Sequence, residues 1–482
     1  MSTMALAGRR AREIAIVTTG QAGAALATIA AVKILTRFLT PSEFGYTAVI
    51  TSYVVAAVTM LAAPANGAGM VSFHEAVRDD RARELVGTLF VTSLITAILP
   101  LFGLLLPMVP AAGLTGCGLV YLSAELAKTP AINVPAAARW RRASSVLQIA
   151  DGWGKLLFVG VAASWLALSA RNVIFAYAVN SVLVAVIGWT ILFRFTKGGR
   201  FFSAEVARTT IRRGWFFAGI GAAAWLINLS DRVLLSMFVP AREVGIYVAG
   251  YQAAAVMPVG IGGLMTAFVS PILLQTHAAH PERAARLLGR SALFVAWLLF
   301  PATVLAVVHR DLLLTFLTSG QYASAASVVP WVAPGLAFVA VNNITTMAFW
   351  MTKRIRAYFV IAISAGIGNV LLNLILVPRI GYIAAAISTF ATYAFQLLST
   401  LIVGRRALRW NAEVPELVAL AAGGVALALA IVLLGDRVPR ILALLVPLAA
   451  YTALSVATYL FLDPAARGLF ARVVAHWRER QA

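Results

Sequence analysis

Apolar runs of more than about 18 residues recur from one end of the chain to the other, each long enough to cross a bilayer core of about 30 Å. No other feature constrains the fold so tightly. Charged residues make up 12% of the 482-residue chain and hydrophobic ones 61%, whereas a soluble globular domain carries roughly 25% charge. The chain therefore reads as an all-α polytopic membrane protein. About fourteen spans are expected, at 14–37, 44–67, 86–107, 111–134, 146–167, 172–195, 214–237, 244–268, 290–308, 325–351, 356–377, 380–403, 414–434 and 440–462.

The placement of charge tests this count. A net charge of +21 would point to nucleic acid in a soluble protein. Here the basic residues lie in short clusters between apolar runs, so they mark topology, and no nucleic-acid partner is expected. With the N-terminus inside, 28 of the 39 basic residues fall in inside segments, among them the clusters Arg9–Arg12, Arg139–Arg142 and Lys353–Arg356. Nine fall outside, and Lys128 and Lys155 lie within spans. This is the positive-inside pattern, with both termini cytoplasmic, and Trp140, Trp215, Trp410 and Trp477 sit beside inside clusters as an interfacial belt should. The basic N-terminus runs into an apolar stretch too long for a signal-peptide core, so it is read as the first span.

Several function classes fall away. The loops are short, and none is large enough for a soluble domain. The sequence has no G-x-x-x-x-G-K-[ST], no G-x-S-x-G and no zinc-type His/Cys cluster. His277 and His280 form a spaced pair without a third ligand nearby, and Cys117, the one cysteine, sits in an apolar run. An enzyme, a single-chain ATP-driven pump, a metal and a cofactor are all disfavoured, and no catalytic residue is expected.

Two corners of similar sequence divide the chain. Pro41-Ser-Glu43-Phe44-Gly45 follows span 1, and Pro240-Ala-Arg-Glu243-Val244-Gly245, read as one residue longer, follows span 7. Each comes after a span with a cation near its outer end, Arg37 or Arg232, and the span after each corner leads through a charged inside loop to a third span opened by an Arg and a Gly, Arg83 and Gly87 or Arg286 and Gly289. The expected organisation is two six-helix lobes in parallel pseudo-repeat, 1–195 and 196–403, with spans 13 and 14 and a cytoplasmic tail in 404–482. Repeated halves are a common plan in secondary transporters, with substrate held near the midplane.

LTPSEFG after span 1 and the DRxLLSxF…VGxY…P hairpin of spans 7 and 8 resemble the polysaccharide-export and O-antigen (Wzx-type) lipid-linked oligosaccharide flippases of the multidrug/oligosaccharidyl-lipid/polysaccharide exporter superfamily. Asp231, Arg232, Leu234, Leu235, Phe238, Gly245, Tyr247 and Pro271 fit the hairpin pattern. The resemblance implies helical lobes that alternate access and an undecaprenyl-pyrophosphate-linked oligosaccharide as cargo, carried across the plasma (inner) membrane for surface polysaccharide synthesis. Membrane lipids and polysaccharide polymerase or export proteins are the further partners it implies. A drug or cation antiporter of the same superfamily is the alternative, and a membrane glycan polymerase or ligase ranks below it.

Charges inside the spans carry the site expectations, because each costs about 2.5–3.5 kcal/mol at a helix centre. Glu125 and Lys128 are spaced i,i+3 on span 4, and Asp151 and Lys155 i,i+4 on span 5, so each pair shares a helix face. Two readings stand side by side: a structural ion-pair network, or lysines that bind the cargo phosphate with carboxylates that keep the empty site neutral. Lys33 and Arg37 on span 1 and Arg232 on span 7 are the first expected cargo contacts, followed by Lys155 and Lys128. Lys33 lies about 31 Å along the helix from Arg12, near the outer surface, where snorkelling is an equal reading. Asp231, Glu125 and Asp151 are the expected ion-pair or coupling groups, with Arg37 to Asp231 as one conceivable bridge. Gly219, Gly221, Pro258, Gly260, Gly262 and Gly263 read either as bending points or as close-packing positions.

Overall fold

The computed structural model describes residues 19, 20, 23, 26–102, 115–138, 140–196, 198–408 and 410, with 423, 426, 429, 449, 451 and 453 beyond them. The expected spans 13 and 14 and the tail lie outside the described residues apart from those single positions. No strand occurs among the described residues. The helices in chain order are α1 (26–38), α2 (Pro41–Leu61), α3 (Ala63–Arg78), α4 (Ala82–Phe102), α5 (Thr115–Ala137), α6 (Arg141–Trp165), α7 (Ala170–Phe195), α8 (Ala204–Asn228), α9 (Ser230–Phe238), α10 (Ala241–Ala279), α11 (Pro281–Val308), α12 (Arg310–Leu317), α13 (Val329–Thr345), α14 (Met347–Met351), α15 (Ile355–Ile380) and α16 (Tyr382–Ala407). A 3-10 segment, Gly320–Ser327, precedes α13. Nine of the described helices are long and apolar enough to cross a membrane, ten if a bent pair counts as one span.

Short polar residues start these helices. Thr40, Ser169 and Ser203 accept hydrogen bonds from the backbone N–H groups of Glu43, Asn172 and Val206, satisfying donors that the first turns of α2, α7 and α8 leave free. Gly381 takes a positive φ of 64°, the left-handed turn that lets α15 reverse directly into α16.

Span 2 continues from α2 into α3 through Ala62, and span 10 from α13 into α14 through Thr346, with helical backbone at both junctions. Span 7 is the one sharply bent among the described spans, by 49° between Phe217–Asn228 and Ser230–Phe238. The bend has a local cause. Asn228 and Ser230 turn their side chains back onto the carbonyls of Ala224 and Leu226, at 2.7 and 2.6 Å, in competition with the helical ladder. Leu229 between them leaves the helical region, with φ −137° and ψ −12°. α10, by contrast, runs unbroken for 39 residues through Pro258 and Pro271.

The chain forms two compact units. The first comprises Met1–Gly250, Thr315–Ala325 and Ala362–Ser388; the second comprises Tyr251–Leu314, Ala326–Ile361 and Thr389–Ala482. In the first unit, Phe73, Val86, Leu89, Ala131, Val134, Trp189 and Leu192 build a core shared by α3, α4, α5 and α7. Trp189 also donates its indole N–H to the carbonyl of Ala127 at 2.9 Å, in a stretch of α5 whose ladder Pro130 interrupts. In the second unit, Leu273, Leu288, Val295, Leu299, Ile344 and Met351 join α10, α11, α13 and α14. The glycines divide between their two readings. A Cβ on Gly221 would press on Thr59 and one on Gly262 on Ala340, so these two serve close packing, whereas Gly260 and Gly263 face open space.

Candidate functional site

The four charges of spans 4 and 5 converge on one point in the first unit. Lys128 of α5 has its Nζ 2.5 Å from Glu125 Oε1, 2.8 Å from Asp151 Oδ1 and 3.4 Å from Ser181 Oγ. Lys155 of α6 has its Nζ 3.5 Å from both Glu125 Oε1 and Asp151 Oδ2. α7 completes the shell: Ser181 Oγ donates to Glu125 Oε1 at 2.7 Å, and Asn180 Nδ2 approaches Asp151 Oδ1 at 3.3 Å. Two ammonium groups thus meet two carboxylates, and the group is neutral as a whole. One helical turn of about 5.4 Å separates Asp151 from Lys155, a distance within reach of a lysine side chain.

The two lysines are not equivalent. The Lys128 side chain is 4% exposed and that of Lys155 23%. Lys155 also lies over the faces of Tyr121 and Tyr177, with Nζ 5.9 and 5.6 Å from the ring centroids. Tyr121 sits in a core with Val54, Ala124, Ile174 and Ala178, so α2 and α7 hold the ring in place.

A second constellation forms at the corners. The helix starts align Pro41 with Ala241 and Gly45 with Gly245, an offset of 200 residues, so the corners have equal length and their prolines are not counterparts. The two glycines approach each other reciprocally. A Cβ on Gly45 would collide with the carbonyl of Ala241, and one on Gly245 with the carbonyl of Pro41. The corner glutamates repeat as well. The N–H of Ala170, at the start of α7, donates to Glu43 Oε2 at 2.5 Å, while Glu243 Oε2 lies beside Gly381, just before α16. Each corner acid therefore sits at the N-terminal end of a later helix, Glu43 at α7 and Glu243 at α16, where a helix favours negative charge.

Lys33 is engaged beside this corner. Its Nζ donates to the carbonyls of Thr315 and Thr318 at 3.1 and 2.9 Å, at the C-terminal end of α12, where unpaired carbonyls favour a cation. Ser319 Oγ donates to Thr36 O at 2.6 Å and Tyr322 to Leu39 O at 3.0 Å, stitching the same segment to α1. Arg37 is exposed and Arg232 half-buried. Asp231 is buried and accepts from the Tyr247 hydroxyl and the Arg232 backbone N–H; it forms no ion pair with Arg37. Lys33, Arg37 and Arg232 do not enter the α5–α7 cluster.

Sequence reasoning did not single out Tyr121, Tyr177, Asn180 or Ser181, or the carbonyl partners of Lys33. Tyr121 had a usable signal: it lies one turn before Glu125 on the face shared with Lys128. The others come from helices distant in sequence, and no local spacing marks them.

Comparison with known proteins follows the geometry. Residues 141–277 match the model of the family described as polysaccharide biosynthesis protein. Among solved structures, the lipid II flippase MurJ in an inward closed conformation is similar with a TM-score of 0.73 at 12% identity, over 95% of this chain and 99% of that one. The fold is that of MurJ and the MATE transporters. An inward-facing multidrug-resistance MATE family transporter of the MOP superfamily has a TM-score of 0.63 at 13% identity, over 81% of this chain and 94% of that one. An outward-facing one has a TM-score of 0.56 at 14% identity, over 83% and 95%. No curated protein matches the sequence significantly. The resemblance read from the corner and hairpin motifs is borne out in these matches, and so is the all-α, multi-pass membrane class of the chain.

Proposed function

We propose that the protein moves an undecaprenyl-pyrophosphate-linked oligosaccharide outward across the plasma membrane by alternating access, for cell-surface polysaccharide synthesis. The observation that carries this reading is the neutral α5–α7 cluster, in which both deep carboxylates are already engaged by lysines. A site for cationic drugs would want those carboxylates free, whereas an anionic pyrophosphate needs cations in low dielectric. The match of residues 141–277 to a polysaccharide-biosynthesis family adds support. In this reading Lys33, Arg37, Arg232, Lys155 and Lys128 are the cargo contacts, and Glu125, Asp151 and Asp231 are their counter-ions or coupling groups. Lys33 would have to leave the α12 carbonyls before it could meet cargo.

The organisation proposed with it has two parallel halves, 1–195 and 196–403, the segment 404–482 appended, both termini cytoplasmic, and polymerase or export proteins as partners. A reporter fused after position 409 is expected inside and one placed within 436–440 outside; swapped signals overturn this topology. The likeness to MATE transporters favours drug or cation antiport as the second reading. Proteoliposomes separate the two. The expected result is translocation of a fluorescent undecaprenyl-pyrophosphoryl oligosaccharide. Uptake of a cationic dye against a proton gradient, with the lipid left in place, would replace the flippase reading by the antiport one.

A further inference from the structure

We infer that Lys155, with the rings of Tyr121 and Tyr177, forms the subsite for the phosphate and first sugar of a lipid-linked ligand, while Lys128 remains a fixed counter-ion. The inference rests on the flippase reading and narrows it, leaving Lys155 as the one cargo contact of the α5–α7 cluster and moving Lys128 to its counter-ions.

The two lysines leave different clusters behind when removed. Without Lys155, Glu125 keeps Lys128 and Ser181 as donors, and Asp151 keeps Lys128 and Asn180. Without Lys128, the cluster loses its contacts of 2.5 and 2.8 Å and retains an ammonium at 3.5 Å from each carboxylate. Charge-assisted N–H···O bonds cluster at about 2.7–2.9 Å, so the Lys155 contacts are the loose ones. A buried carboxylate stripped of donors is strongly penalised. Of the two cations, Lys155 is the one the cluster can release.

Lys155 is 23% exposed against 4% for Lys128. An aromatic face attracts a cation without engaging it in a fixed hydrogen bond, and a tyrosine ring joins an apolar face to a polar tip. When the ammonium swings to a ligand phosphate, it uncovers the faces of Tyr121 and Tyr177, of which Tyr177 is the more open. A cation beside two ring faces suits an anion joined directly to a sugar. Lys128, enclosed by three oxygen atoms, suits only its present partners.

The test uses the full-length protein in lipid nanodiscs and two probes: undecaprenyl pyrophosphate, and undecaprenyl-pyrophosphoryl-N-acetylglucosamine. Binding is titrated and thermal stability recorded for each variant. Lys155→Gln is expected to weaken both probes roughly ten- to a hundredfold, the loss of a hydrogen bond from a charged group, while Lys155→Arg retains them. Tyr177→Leu is expected to weaken only the sugar-bearing probe, and Tyr177→Phe neither. Wild-type affinity for both probes in Lys155→Gln overturns the inference and leaves the flippase reading intact. If Lys155→Gln fails to fold, Tyr177→Leu decides: unchanged preference between the probes overturns it. Wild-type protein that binds neither probe overturns the flippase reading, and the inference falls with it.

Discussion

In the proposed two-half organisation spans 4, 5 and 6 and spans 10, 11 and 12 hold equivalent places, and each trio is joined by a polar group. In α5, α6 and α7 that group is two lysines and two carboxylates. In α13, α15 and α16 it is the Tyr358 hydroxyl with Asn342 and with Gln396 Nε2 at 3.5 Å, beside a Tyr251–Tyr393 hydroxyl pair at 3.1 Å. α7 and α16 match in length, 26 residues each, while the polar chemistry of the two trios differs. The neutral trio shows that joining three such helices needs no charge. Four charges in the other trio, each with an insertion cost of about 2.5–3.5 kcal/mol, exceed what packing asks for. This excess is the physical reason to seek a ligand in the first half.

The harshest test of this contrast removes one charge. Lys128→Met should destabilise the protein by up to about 3–5 kcal/mol, because it leaves two half-buried carboxylates with only the looser Lys155 as counter-ion. A large fall in the thermal midpoint in detergent would register it. Neutralising the whole set, with Glu125→Gln, Lys128→Met, Asp151→Asn and Lys155→Met together, should restore most of that stability while abolishing export. A quadruple variant no more stable than Lys128→Met would mean that the charges are there for packing, and the contrast would lose its functional meaning.

The corners test the opposite side of the comparison, the part that is repeated. Gly45→Ala and Gly245→Ala each place a methyl group against a backbone carbonyl, so each should cost roughly 1–3 kcal/mol, and by similar amounts. Because both act on one crossing, the double variant should cost less than the sum. A neutral Gly245→Ala beside a costly Gly45→Ala would show that the crossing is not reciprocal in energy, whatever its geometry.

Much of this arrangement was legible in the sequence. Apolar run length marked the spans, since a helix crossing hydrocarbon needs about 20 residues. The spacing of Glu125–Lys128 and Asp151–Lys155 placed each pair on one face. The glycine–glutamate corners were legible as a pair, although aligning Pro41 with Pro240 misread their register by one residue; proline marks a helix start only loosely, and the helices themselves begin at Pro41 and Ala241. The bend at Leu229 was hidden because its cause is side-chain back-bonding inside an otherwise apolar run. The partners of Lys33 lie 282 and 285 residues away, beyond any periodicity. Sequence spacing reports which residues share a helix face, and it is silent on which distant helix that face meets.

The smallest expected effect separates charge from polarity directly. Ser181→Ala removes the hydroxyl that donates to Glu125 Oε1 at 2.7 Å, a bond to a charged acceptor, and should cost about 1.5–3 kcal/mol. Tyr358→Phe removes a hydroxyl whose contact with Gln396 is 3.5 Å long, and should cost about 0.5–1.5 kcal/mol. Asn342→Leu should cost less than Tyr358→Phe, because its lost contact with the Tyr358 hydroxyl is offset by removal of the buried Oδ1, which has no hydrogen-bond partner. Unfolding free energies for the three variants, measured in one detergent, give the order. Tyr358→Phe as costly as Ser181→Ala would mean that the neutral trio binds its helices as firmly as the charged one, and that the two halves differ in kind of contact but not in strength.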